Sequence, residues 1–430
     1  MIVPLTEATA DTCGGKAGAL GALLRAGLPV PDGFVLPFAA YLAATGDPDP
    51  ARLATTRDPD PARLATTRDP GAGRPAGEPD DPGTARRTIE ARPLHATVTG
   101  ALGRALDELG DPPVAVRSSA ADEDTAQASA AGRYESFLAV RGVTEVTGAV
   151  RACWASLFSP RAAAYRRTHG RGGPAMAVIV QRHLDAEVSG VMFTPGAPDG
   201  TTRIEASWGL GPSVVGGTVT PDAYIVTGNG RVTRTLADKR TRLDRHGTRL
   251  VTADVPDGDR DRPAIDDATA ARLAGLGGRI AAVLGGPQDV EWSIAGGRVW
   301  ILQARPVTAA LPPPTSAAAT GTATVLTGTP GSRGTATGTA RIVRGPGDFA
   351  RVHPGDILVC PFTDPAWTPL LRVAAGVVTE TGGVLSHAAI VAREHAIPAV
   401  LGVPNATGRL HDDTVLTVDG TTGTVTTADP

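Results

Sequence analysis

Residues 379–402 read TETGGVLSHAAIVAREHAIPAVLG, and His387 within them is placed to act as a nucleophile. The apolar run 374–378 reads as the end of a buried strand. Gly382 and Gly383 break it, and Ser386 is a preferred helix N-cap. From His387 the residues favour helix until Pro398 stops it. His387 is therefore expected in the first turn of a helix, just after a glycine loop. A helix N-terminus disfavours imidazolium and attracts anions. A neutral imidazole that accepts a phosphoryl group suits that setting. For a lone histidine, a polar helix start without chemistry is the commoner explanation.

Other chemistry-bearing residues lie upstream. Gly14-Gly15-Lys16 precedes a leucine-bearing helix and could cradle an anion, although a GGK alone is more often a turn. Lysine occurs only at positions 16 and 239 in a chain that otherwise uses arginine, so each one invites a reason. VAVRSS (114–119) reads as a buried strand carrying Arg117, followed by a polar loop. DVEWSIAGGRVWILQARPV (289–307) reads as a hairpin turning at Gly296-Gly297. An odd loop would set Ala295 opposite Val299 and Glu291 opposite Gln303. One face would then hold Val290, Trp292, Ile294, Trp300 and Leu302. The other would gather Asp289, Glu291, Ser293, Gln303 and Arg305. An even loop mixes the two sets. A carboxylate beside an amide oxygen, with arginine adjacent, suits Mg²⁺ bound to a polyphosphate. A solvated sheet face gives the same pattern.

These residues must be positioned by a chain of 430 residues, long enough for two or three domains with full cores. A net charge of -3 implies no nucleic-acid or membrane partner. Cys13, Cys153 and Cys360 are in no metal-like spacing and read as reduced thiols of a cytoplasmic protein. No signal peptide and no membrane-spanning apolar run is legible. DPDPARLATTR occurs at 47–57 and again at 58–68, inside a Pro/Gly-rich stretch (46–84) that reads as a disordered insertion without a site. Residues 311–324, LPPPTSAAATGTAT, read as a linker. Short strands and turns then surround the His387 helix over 325–430. The expected fold class is α/β (α+β), with domains at 1–310 and 325–430.

The motifs together resemble the PEP-utilising enzymes, the family of PEP synthase, pyruvate phosphate dikinase and rifampin phosphotransferase. The match runs through GGKAGALGALLRAGLPVPDGF, VAVRSSAADEDTAQASAAG, SGVMFTP, WGLG, VTPDAY, VEWS to ILQARPVT, GDILVCPFTDPAWTPLL and GGVLSHAAIVAREHAIPAV. The resemblance implies an ATP-grasp nucleotide-binding domain, a hinge and a small swivelling phosphohistidine domain. It implies that Lys16 and Arg117 hold ATP phosphates, and that Gly132 and Ser136 belong to a loop over the nucleotide. Gln181 to Leu184 would form the adenine hinge. Glu291 and Gln303 would bind magnesium, and Arg305 a phosphate. His387 would take the β-phosphoryl of ATP, release AMP and phosphate, and pass the phosphoryl group to an acceptor.

The sequence also departs from the family. The linker leads straight into the histidine domain, so no acceptor domain is expected, and pyruvate and rifampin are poorly supported as substrates. Leu385 stands where regulated dikinases have threonine. Pro212, Ala130 and Arg333 replace the family's usual residues. The expected partner is a small-molecule acceptor, in a natural-product setting. The alternative is a phosphohistidine donor acting with a separate acceptor protein. A nucleotide-binding protein with dead chemistry is disfavoured because all the named ligands are present.

Overall fold

In a computed structural model the described residues are 2–45, 82–121, 123, 134–160, 162–163, 175–195, 200–308 and 325–427. Gly132, Ala130, most of the expected insertion and the whole 311–324 linker lie outside them. The chain forms two compact units. The first comprises residues 1–125, 132–184 and 247–249; the second takes in most of 185–430. The class is mixed α/β, as the sequence implies.

The first unit is built on a five-stranded antiparallel sheet, in the order Val3–Pro4, Gly33–Leu36, Met176–Arg182, Val114–Ala120, Ser136–Val140. The helix Ala10–Arg25, which buries Leu20 and Leu23, packs on it. This helix starts before the glycines instead of after them, and it breaks at Gly14 (φ 80°). A Cβ there would lie 2.5 Å from Ser119 O, so close approach as well as the backbone angle requires glycine.

The second unit holds two larger sheets. One has six antiparallel strands in the order Arg298–Pro306, Gln288–Ala295, Val188–Phe193, Thr202–Trp208, Asp222–Val226, Val232–Thr235. Its apolar face, with Val290, Trp292 and Ile204, is buried, and the helix Asp267–Leu284 packs against this sheet. Its opposite face is polar and is described below. The other sheet is eight-stranded and mixed, with Thr335–Ile342, Ile357–Cys360, Gly376–Thr379 and Ala399–Leu401 parallel at its centre. The two middle strands, Ile357–Cys360 and Gly376–Thr379, are buried along their whole length, as parallel strands covered on both faces should be. The helix His387–Glu394 presents Ala388, Ala389, Val391 and Ala392 to Leu358, Val377 and Leu401. It ends at Glu394, four residues before the proline expected to stop it, because Ala396 takes a left-handed conformation (φ 53°).

The scarce lysines have separate roles. Lys239 is fully buried, and its Nζ lies 2.7 Å from Asp222 Oδ1. Asp222 also accepts the amides of Ala237 (2.9 Å) and Ala264 (2.8 Å), which ties the loop after the six-stranded sheet to the strand Asp222–Val226. Removing one partner of such a pair strands a buried charge. Lys239→Met should therefore lower stability by about 3–5 kcal/mol, and Lys239→Met/Asp222→Asn by less. Urea denaturation decides; a loss under about 1 kcal/mol would mean that the pair does not hold the strand.

Candidate active site

The helix break at Gly14 puts Lys16 at the head of the resumed helix. Ser119 secures this corner by donating to Cys13 O (2.6 Å) and accepting from Ala17 N (3.1 Å). Lys16 Nζ meets the buried carboxylate of Glu123 at 2.6 Å. Arg117 is half-buried and pairs directly with Ser136 and Ile179 in the sheet. Gln181 is two residues along the strand from Ile179, so Arg117, Ser136, Ser119 and Gln181 share one face. Gln181 is buried and donates from Nε2 to Pro31 O (3.0 Å). Leu184 is half-buried and ends the second segment of the first unit. The sheet thus brings Arg117, Ser136 and Gln181 onto one surface, with Lys16 held at its edge through Ser119.

In the second unit the hairpin sets the register. Glu291 pairs with Gln303, and Asp289 with Arg305, as expected. The route differs from the expected odd loop. The turn is the two-residue Gly296-Gly297, so Ala295 faces Arg298 and Ile294 faces Val299. A bulge between Glu291 and Trp292 then absorbs one extra residue on the opposite strand and restores the Glu291–Gln303 pairing. As a result Val299 and Ile301 are buried with Val290 and Trp292, whereas Trp300 and Leu302 are half-buried. Trp300 shares the polar side and carries the Arg298 guanidinium over its ring at 4.6 Å.

The polar face continues across the sheet. Val191 pairs with both Glu291 and Glu205, and Phe193 with both Asp289 and Arg203, so all these residues point the same way. Arg305 holds Asp289 Oδ2 through Nε (2.8 Å) and Nη2 (2.7 Å). Glu291 and Gln303 offer a carboxylate and an amide oxygen side by side. That set fits Mg²⁺, which keeps waters and phosphate oxygens as its other ligands. Among the described residues no group of three or more His, Cys, Asp or Glu forms an all-protein metal cage.

The His387 loop packs on this face. Thr381 Oγ1 donates to Gly217 O (2.6 Å), and Gly382 N to Val219 O (3.2 Å). Leu385 enters an apolar cluster with Val191, Phe193, Val214 and Val219. Leu385 N donates to Glu205 Oε2 at 3.2 Å, and Val384 N also donates to Glu205. Burial pushes the Glu205 carboxyl up to about 7, against these amides and against Arg393 and Arg203. Arg393, on the His387 helix, donates from Nη1 to Val384 O (2.7 Å) and Gly331 O (3.0 Å). Arg393 and Ile390 line a small cleft together with Asp289 and Arg305.

His387 is 4% exposed and its Nδ1 lies 3.1 Å from the buried Thr363 hydroxyl. With the proton on Nδ1, Thr363 accepts it and Nε2 carries the lone pair. Ser386 occupies the N-cap position, as expected. Its hydroxyl turns back to Gly383 O (2.8 Å) and does not cap the helix. Thr363, Glu205 and Arg393 were not singled out by sequence. Thr363 and Arg393 fall inside quoted motifs and Glu205 three residues ahead of WGLG; their signal is being polar within otherwise apolar surroundings. The thiols of Cys13, Cys153 and Cys360 are all buried and unbridged, and burial raises those of Cys153 and Cys360. Among the described residues no helix is long and apolar enough to cross a membrane.

Comparison with known proteins gives the same outline. Residues 10–320 match the family model of the pyruvate phosphate dikinase AMP/ATP-binding domain, and residues 352–423 that of the PEP-utilising enzyme mobile domain. A probable phosphoenolpyruvate synthase of Methanothermobacter thermautotrophicus is 37% identical over 423 residues, covering 96% of this chain and 61% of the relative. The phosphoenolpyruvate synthase of Aeropyrum pernix is 33% identical over 466 residues, covering 96% of this chain and 56% of the relative. The chain thus spans about six-tenths of the length of these relatives. Among solved structures, Thermococcus kodakaraensis aconitase X is 19% identical and covers 25% of the chain at a TM-score of 0.21.

Gly383 is where the loop meets the sheet most closely. A Cβ there would lie 2.3 Å from Glu205 Oε1. Gly383→Ala should lift the loop, with exchange of the Val384 and Leu385 amides about 10- to 100-fold faster and the remaining protection pattern kept. Unchanged exchange at those two amides would show that the contact does not seat the loop.

Proposed function

The chain belongs to the PEP-utilising enzyme family, and from that premise we propose that it is an ATP-dependent phosphotransferase working through phospho-His387. The observation that carries the reading is the seating of the His387 loop on the sheet face that holds Glu291, Gln303 and Arg305.

In this reading Lys16 and Arg117 bind ATP phosphates, exchanging their present partners for phosphate oxygens. Gly132, Ser136, Gln181 and Leu184 complete the nucleotide pocket. Arg305 meets a phosphoryl oxygen beside Glu291 and Gln303, which would hold magnesium. That ion, when bound, neutralises charge on the polyphosphate. The His387 Nε2 lone pair attacks the β-phosphorus, the bond from that phosphorus to the AMP oxygen breaks, and AMP leaves. Water then takes the γ-phosphoryl as phosphate, which leaves phospho-His387. The imidazole is oriented by Thr363, which holds the Nδ1 proton while Nε2 reacts. Catalysis is mainly positioning and charge stabilisation. A small-molecule acceptor then receives the phosphoryl group from His387.

Incubation of the full chain with ATP and Mg²⁺ tests this. The expected products are AMP and an acid-labile phosphoprotein, with the label lost in His387→Ala. Formation of ADP alone would contradict attack at the β-phosphorus. Thr363→Val should slow labelling roughly 10- to 100-fold, as loss of an orienting partner does elsewhere, and Thr363→Ser should restore most of the rate. Equal rates for Thr363→Val and the unaltered chain would remove Thr363 from the mechanism. ³¹P NMR with candidate small acceptors then reads the second half of the reaction.

A further inference from the structure

We infer that Glu205 is a positioning residue for His387, its carboxyl and the Arg393 guanidinium together clamping the Val384 peptide and seating the histidine loop on the polar sheet face. The inference rests on the phosphotransferase reading for its chemical consequence, while its geometry stands independently of that reading.

The clamp holds one peptide segment from two sides. Glu205 accepts the amides of Val384 and Leu385, and Arg393 donates to Val384 O at 2.7 Å. Glu205 is 3% exposed, and a carboxylate taken out of water must be met by donors. Those donors are the two loop amides, with Arg393 facing it from the His387 helix and Arg203 from its own strand. Asp289 and Glu394 in turn face Arg393. The contact leaves no room for a side chain at Gly383, so the loop is held by its backbone. His387 follows Leu385 by two residues, and Glu205 shares a row of the sheet with Glu291 through Val191. The clamp therefore fixes how far the imidazole stands from the proposed phosphate ligands.

The sign of the pH dependence follows from the burial. When the loop is seated the carboxyl titrates near 7, and when the loop is away the solvated group returns toward its ordinary value of 4.5. A raised value means that seating takes up a proton. Seating is strongest below the ordinary value and weakens as pH rises through about 7. A glutamine keeps an acceptor oxygen and cannot titrate.

The test compares the full chain with Glu205→Ala and Glu205→Gln. Glu205→Ala should speed amide exchange at 384–385 about tenfold and slow phospho-His387 formation from ATP at least about tenfold. Glu205→Gln should stay close to the unaltered chain at neutral pH. It should also lose the inflection near 7 in the labelling rate, which a merely structural role would not move. Should Glu205→Ala fail to fold, the Glu205→Gln profile still decides, and an inflection retained there overturns the inference. Normal exchange and normal labelling in a folded Glu205→Ala overturn it as well. If the unaltered chain makes no phosphohistidine, the phosphotransferase reading falls, and amide exchange alone judges the clamp.

Discussion

The carboxyl group of Glu205 has almost no access to water, and much of the second unit is arranged around that fact. Its hydrogen-bonding requirement is met by two consecutive backbone amides, which forces residues 383–385 to lie flat on the sheet. A flat segment can approach that closely only if Gly383 has no side chain. With the backbone fixed, Leu385 drops between Val191, Phe193, Val214 and Val219. The helix that starts at His387 then reaches the cleft lined by Asp289 and Arg305 through Ile390 and Arg393. Glycine loop and apolar plug are thus seated around one desolvated acid that needs partners.

The neighbouring hairpin shows how much of this was legible. Its two faces could be assigned by alternation alone, and the set Asp289, Glu291, Ser293, Gln303 and Arg305 does share a side. Alternation could not reveal the compensation between a two-residue turn and a bulge, because the two cancel at Glu291 and Gln303 and separate only over residues 298–302. The helix around His387 was legible because Ser386 is a preferred N-cap and the residues from His387 favour helix; its packing through Ala388, Val391 and Ala392 is what the structure adds.

The residues that escaped notice act at long range. Glu205 is 180 residues from Leu385, and Thr363 is 24 from His387. Neither pairing has a local pattern. The two lysines make the same point from the other side. Scarcity marked both as meaningful, yet one closes a buried ion pair with Asp222 and the other meets Glu123 at a helix head. Residue type alone does not separate the two; the partners and the burial do.

The way the histidine is held also bears on what it can do. Behind it, the helix buries Ala388, Ala389, Val391 and Ala392 in a cluster that includes Leu358, Val377, Leu371 and Leu401. In front of it, the loop meets the six-stranded sheet through one apolar plug, Leu385, and a few hydrogen bonds. A buried leucine is worth about 1.5–3 kcal/mol and each such hydrogen bond about 0.5–1.5 kcal/mol. Against these stands the cost of keeping Glu205 from water. The frontal contact is limited to these groups, while the contact behind is part of the core of the eight-stranded sheet. The histidine is thus held more extensively by its own sheet than by the sheet that faces it. The proposed carriage of a phosphoryl group from one site to another would use that asymmetry.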